Sequence, residues 1–288
     1  MTDLGQTATP LSATDEHARE LERKFRSTLK VQRRQATALR LCLNIAGVML
    51  ALGIWEALPR LVPGVNEVLF PPPSIVIREA VPMITSGEIP NNILISLRRA
   101  GGGFVIAAFL AVITGLLTAR VAILNFLMEP LLHGSRSLPA IALVPLSVLW
   151  FGIGEAAKIA LVCWGAFFPI WVNTFIGVRD VHPIYLRSAA CLGAGRLQTL
   201  LWVVLPAALP MILAGLRQSI AISLIVLVAA ELSGATAGVA YMMSMGHQLF
   251  RVDVMFIGLF LLAALGFLAD RLFVALTRKL FPWYAGTH

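Results

Sequence analysis

Between Ala100 and Ala119 the chain reads AGGGFVIAAFLAVITGLLTA, twenty residues without a charge and with an arginine at each flank. Twenty apolar residues at about 1.5 Å each match the ~30 Å hydrocarbon core of a bilayer. No soluble helix of ordinary length needs such a run. The rest of the chain agrees: 58% of its residues are hydrophobic and 13% charged, with a mean hydropathy of +0.82. Soluble domains carry about 25% charged residues, so lipid is the expected solvent for most of this sequence.

Six spans are predicted, which makes the fold class an all-α polytopic membrane protein. The first runs from about Leu41 to Leu58, and the second is Ala100–Ala119. The third is a bent or staged segment within Val121–Phe151, broken by Glu129, His133, Arg136 and Pro139, with its cleanest spanning part after Ser137. Ile159–Val178, a stretch from Pro206 to about Glu231, and Val254–Leu272 complete the set. A short helix is expected around Ile75–Ile84, after the polyproline stretch FPPPS.

The net charge of +8 does not point to nucleic acid, because the basic residues sit at the ends of apolar runs and in the first forty residues, with no aromatic residues interleaved. With both termini inside, fifteen Lys and Arg fall on the inner side and six on the outer, so both termini are expected in the cytoplasm. Arg98 and Arg99, on the outer side, fit that bias poorly. No cleavable signal precedes the first apolar run, so the chain is expected to be inserted rather than secreted.

The expected organisation is a basic cytoplasmic tail over residues 1–40 and a first span with a periplasmic loop over 41–96. A five-helix core follows over 97–280, with an inner loop at 180–206, and a cytoplasmic tail covers 281–288. Cys42, Cys163 and Cys191 are scattered without disulfide or metal-ligand spacing. His17, His133, His182, His247 and His288 have no ligand spacing either, so no metal site and no catalytic residue is predicted. The chain lacks G-x-x-x-x-G-K-[ST] and cannot hydrolyse nucleotide by a P-loop.

The inner loop carries the strongest signal. RSAACLGAGRLQTLLWVVLP, residues 187–206, is helical in pattern. Tyr185, Ala189, Leu192 and Leu197 form an apolar side, and Gly193 and Gly195 break it in two. Such a loop suits docking of another protein just below the membrane.

These residues resemble the permease subunits of ATP-binding-cassette importers, whose loop signature is EAA, three residues, Gly, nine residues, then Ile-x-Leu-Pro. Here Arg187-Ser188-Ala189, Gly193 and Val203-Val204-Leu205-Pro206 keep that spacing. The literal EAA at Glu155-Ala156-Ala157 has Leu161 where Gly is needed and is read as a decoy. Further pieces are similar to the branch that imports nitrate, sulfonates, taurine and bicarbonate: LFPPPS, SLRRAGGGF, LVPLSVLWFGIGEAAKI, LVAAELSGATAG and FPWY.

The resemblance implies the fold of type I importer permeases (the MetI-like architecture) in a bacterial inner membrane, working as a homodimer. It implies two cytoplasmic ATPase subunits, which bind the ATP and Mg, and a periplasmic binding protein that delivers the cargo. It assigns Arg187, Ser188, Ala189, Gly193, Val203, Leu205 and Pro206 to a coupling loop seated in a cleft of the ATPase. Pro206 is expected to fix where the fifth span starts. The implied cargo is a small anion, alkanesulfonate or taurine first and nitrate or bicarbonate next. A vitamin or heterocyclic precursor remains open on the same architecture. So does a stand-alone secondary transporter or channel, although neither internal repeats nor intramembrane acidic coupling sites are evident.

Ionisable and hydroxyl residues inside spans supply the candidates for the translocation path or gate. Arg136, between Ser135 and Ser137, is read either as an anion-attracting element or as a snorkelling side chain paired with Glu129. Arg217 either faces the path or snorkels. Glu231 is read as part of a gate, a dimer brace or a solvated carboxylate. Ser219 and Ser223, four apart, share a face that lines the path, crosses a dimer or bonds back to its own helix.

Overall fold

A computed structural model describes residue 25 and residues 42–62 and 66–282. The expected tail over residues 1–40 and the last part of FPWY lie outside the described residues, apart from Phe25. The chain divides into two compact units, Met1–Glu67 and Val68–His288. The first holds helix α1, Cys42–Leu61, 20 residues long and apolar enough to cross a membrane.

Among its described residues the second unit consists of helices joined by turns and short loops. It begins with α2, Pro73–Thr85, where the fixed φ of Pro73 suits the first helical position. Next come α3, Glu88–Arg120, and α4, Ala122–Arg136. A 3₁₀ turn, Ala140–Leu143, leads into α5, Val144–Phe151, and then α6, Glu155–Arg179. The loop region holds α7, Pro183–Cys191, and α8, Arg196–Thr199. A π turn over Leu200–Val204 joins α8 to α9, Leu205–Leu232. Helices α10, Val239–Gln248, and α11, Val252–Leu280, complete the fold.

Among the described residues five helices are long and apolar enough to span, and the pair Ala122–Arg136 with Ala140–Phe151 makes up to a sixth, bent by 90°. Neither part of that pair reaches ~30 Å by itself at about 1.5 Å per residue. The part after Ser137 is the uncharged one, as expected, but it is also the shorter of the two. Pro139 and Gly152 (φ 74°) confine it.

The second span also begins earlier than expected. Helix α3 starts at Glu88 after Gly87, whose left-handed φ of 83° turns the chain, so Arg98 and Arg99 lie inside the helix and not at its head.

Helices α3, α6 and α9 form the centre. Gly103, Ala107, Ala111 and Gly115 recur every fourth residue on α3 and are all buried. That stripe lets α6 approach closely, as small residues do in membrane helix pairs. A Cβ on Gly115 would lie 2.7 Å from the Cβ of Thr174. Against the stripe pack Ala166, Ile170 and Trp171 of α6, and the Trp171 indole N–H donates to Thr118 Oγ1 at 3.2 Å. The methionine-rich stretch Tyr241–Met245 falls on α10, where Met242 packs with Val254 and Ile257 of α11.

Candidate functional site

The loop that carries the importer-like spacing is built as two short helices closed by defined caps. His182 caps α7, its Nδ1 accepting the Ile184 N–H at 3.2 Å, and Pro183 occupies the first helical position. At the other end the Gly193 N–H donates to Ala190 O and the Ala194 N–H to Ala189 O, both at 3.0 Å. These two bonds with Gly193 at φ 74° make a Schellman closure, which needs a left-handed residue. Gly195 then caps α8, and its own N–H is held by Gln198 Oε1 at 2.9 Å.

Pro206 stands in the first turn of α9, as expected, but the helical run does not begin there. The helix is continuous from Arg196 to Leu232, 37 residues, and the π turn takes up the proline. In an α-helix the Pro206 ring would clash with the Trp202 carbonyl and leave that carbonyl unpaired. Just before it, the Leu205 N–H donates instead to Leu200 O, five residues back, widening the turn.

Inside the loop the signature residues separate by direction. Ala189 and Val204 are buried, and Val204 joins Val178, Val181, Ala208 and Ile212 with Leu186, Leu200 and Leu205 packed against them. Arg187, Ser188, Gly193 and Pro206 are exposed, and Val203 and Leu205 are half-buried. The single apolar side expected from the pattern is split. Ala189 turns inward, whereas Tyr185, Leu192 (87% exposed), Leu197 and Trp202 (80% exposed) face outward. The turn at Gly193 breaks the helical phase that would have aligned them.

The decoy segment has a different role. Glu155 opens α6 and accepts Arg99 Nε at 2.6 Å. Arg99, only 2% exposed, also donates through Nη1 to Glu231 Oε1 at 2.9 Å and to the Ala237 carbonyl at 2.6 Å. Ser96 Oγ donates to Glu231 Oε1 at 2.7 Å and accepts the Val239 N–H at 2.9 Å. Glu231 Oε2 accepts the Ala240 N–H at 3.0 Å, and Asn92 Oδ1 accepts the Gly238 N–H at 2.8 Å. A Cβ on Gly238 (φ 125°) would strike the Glu231 carboxylate. Helix α3 thus clamps the turn between α9 and α10. Lys158 is buried nearby, its Nζ donating to the carbonyls of Ile153 and Gly154 at 3.1 and 3.2 Å.

Sequence reasoning missed this cluster. Its signal was a polar stripe, Asn92, Ser96 and Arg99, at helical spacing ahead of an apolar span. The expectation of a solvated Glu231 is corrected: the residue is buried, and both carboxylate oxygens accept hydrogen bonds inside the protomer.

The remaining candidates divide likewise. Ser219 Oγ donates to the Ala166 carbonyl on α6 at 2.8 Å, and Ser223 Oγ to the Ser219 carbonyl at 2.7 Å. Both are buried, which places neither on an open surface. Arg217 meets Asp270 of α11 through two bonds, Nε–Oδ1 at 2.6 Å and Nη2–Oδ2 at 3.0 Å. Glu129 accepts from Asn125 Nδ2 at 2.8 Å and is not paired with Arg136.

Two clefts lie on either side of Trp164 and Phe168. One, about 670 Å³, is almost wholly apolar and includes Ser135, Leu132 and Cys163. The other, about 500 Å³, runs from the 90° bend to α6 and α9 and holds Arg136, Asn173 and Gln218. Ser135 and Arg136 therefore serve different clefts, and Ser137 Oγ bonds back to His133 O at 3.4 Å.

Residues 103–282 match the family model described as binding-protein-dependent transport system inner membrane component. The chain is 36% identical to the putative aliphatic sulfonates transport permease protein of Bacillus subtilis, over 81% of this chain and 84% of that one. It is 31% identical to the taurine transport system permease protein of Escherichia coli, over 84% and 90% of the two chains. In fold it is similar to a chain of the inward-facing MetNI methionine ABC transporter, with a TM-score of 0.50 at 19% identity, covering 68% of this chain and 99% of that one.

Proposed function

The chain belongs to the binding-protein-dependent transport system inner membrane component family, and on that premise we propose that it carries a small anion, alkanesulfonate or taurine first and nitrate or bicarbonate next, through the bacterial inner membrane. It is an ABC importer permease and a multi-pass membrane protein, and ATP hydrolysis is the task of a separate subunit. In the proposed assembly two copies pair, both termini face the cytoplasm, ATP and Mg sit on two ATPase subunits, and a periplasmic binding protein delivers cargo.

The observation that carries this reading is the loop. Its outward residues, Tyr185 and Leu192 before the break and Leu197 and Trp202 after it, are exposed apolar groups on the segment that carries Arg187, and the loop is rooted through Val204 in the helical core. Exposed apolar groups rimmed by charge mark a protein contact. A rooted loop passes a push into the membrane helices, which a flexible one would dissipate. Arg187, where the signature has Glu, asks for an acidic residue on the ATPase.

The test is ATPase activity of the reconstituted permease–ATPase complex, with binding proteins loaded with taurine, alkanesulfonate or nitrate. Stimulation by one loaded protein, lost in Gly193→Asp, is the expected result. Failure of any ATPase to associate, or normal coupling in the variant, overturns it.

A further inference from the structure

The 500 Å³ cleft beside the bend has the size and composition of a ligand site and not of a leftover gap. Small-molecule pockets of ~300–1,000 Å³ are mostly apolar with a few convergent polar groups. Here Trp164, Phe168 and Ile222 give apolar walls, while Arg136, Asn173 and Gln218 are its polar members. Among the described residues no carboxylate lines it.

Arg136 is the key group. Among the described residues it has no carboxylate partner, and Glu129, about two turns away on α4, is engaged by Asn125. Its charge is stabilised by position, at the C-terminal end of α4, where the helix dipole favours a cation. The chain then leaves helical geometry from Ser137 to Pro139 and turns through 90°. Non-helical backbone at membrane depth persists where it is packed in protein or lines a water-filled cavity. Leu138, Pro139, Ala140 and Ile141 border the cleft, so the non-helical stretch runs along a cavity.

We propose that this cleft binds, on the permease itself, one organic anion with an apolar tail, its head at Arg136 and its tail along Trp164 and Phe168. The proposal rests on the importer reading for its cargo class and goes beyond it, because selection then belongs partly to the permease. A zwitterion finds no acid for its ammonium among the lining groups, so a simple alkanesulfonate is favoured over taurine.

The experiment is calorimetric titration of the full chain in lipid nanodiscs with four probes: 1-hexanesulfonate, methanesulfonate, 1-hexanol and taurine. Hexanesulfonate is expected to bind at least tenfold tighter than each of the others. Arg136→Gln should remove that preference, Arg136→Lys should retain most of it, and Trp164→Ala should weaken hexanesulfonate while leaving methanesulfonate unchanged. Equal binding of hexanol and hexanesulfonate, no binding to the wild type, or an unaffected Arg136→Gln overturns the site. ATPase association read on the same nanodiscs separates the two claims. Anion binding without ATPase association removes the importer reading alone, and association without anion binding removes this site alone.

Discussion

Arg99 Nη1 and Glu231 Oε1 lie 2.9 Å apart with both side chains withdrawn from solvent, and the same guanidinium holds Glu155, whose side chain is 59% exposed. One cation thus serves a buried and an open carboxylate, and the two are not equivalent. Removing one member of a buried pair leaves an uncompensated charge and costs about 3–5 kcal/mol, whereas exposed pairs are worth about 0–1 kcal/mol. Arg99→Met should therefore destabilise the detergent-solubilised chain by several kcal/mol, and Glu155→Gln by less than about 1 kcal/mol. Thermal unfolding of the two variants checks the order, and equal losses would show that Glu231 does not depend on Arg99.

Gly193 separates backbone strain from contact. Its φ of 74° penalises a Cβ, yet a Cβ there would meet nothing within 4 Å. Gly193→Ala should cost about 1–2 kcal/mol, and Gly193→Asn less, since Asn tolerates the left-handed region. If coupling to the ATPase follows strain alone, Asn will couple better than Ala. Equal failure of both would place a partner's backbone against this residue.

The stripe on α3 makes a different demand. Gly115→Ala would press on Thr174 and the Trp171 carbonyl, at 2.7 and 3.2 Å, and overpacking of this kind costs about 1–3 kcal/mol. Gly101, on the same helix with open space around it, should accept Ala without loss. A comparison of melting temperatures tests whether the close approach, and not helix propensity, explains these glycines.

The pair Arg217–Asp270 joins α9 to α11 at a partly exposed position. A double-mutant cycle with Arg217→Gln and Asp270→Asn should return a coupling of about 0.2–1 kcal/mol. A value of several kcal/mol would mean that the site is dry in the assembled membrane protein.

The spans and the loop spacing were legible because both are written locally. Twenty apolar residues announce a membrane helix, and Arg187 to Pro206 is a continuous segment. What escaped was non-local. Arg99 looked misplaced because its counter-ions are 56 and 132 residues away in sequence. Pro206 looked like a helix start because a proline favours that position, and a π turn that absorbs it has no residue signature. Ser219 and Ser223 share a face, as their spacing required, but which neighbour covers that face depends on how closely Gly215 brings α6 and α9 together.

The unbroken helix from Arg196 to Leu232 has a mechanical meaning. At about 1.5 Å per residue it is a strut of some 55 Å. It is joined at one end to the loop and pinned at the other, through Glu231, by Arg99. The two ends cannot be set independently: tilting α8 displaces the Glu231 anchor unless the strut flexes. It has two natural joints, the widened turn at Leu200–Val204 and Pro210, both near the loop. Beyond Pro210 the strut is also held by Arg217 on Asp270 of α11 and by Ser219 on α6, so motion that passes those joints is shared between these ties and the ion cluster.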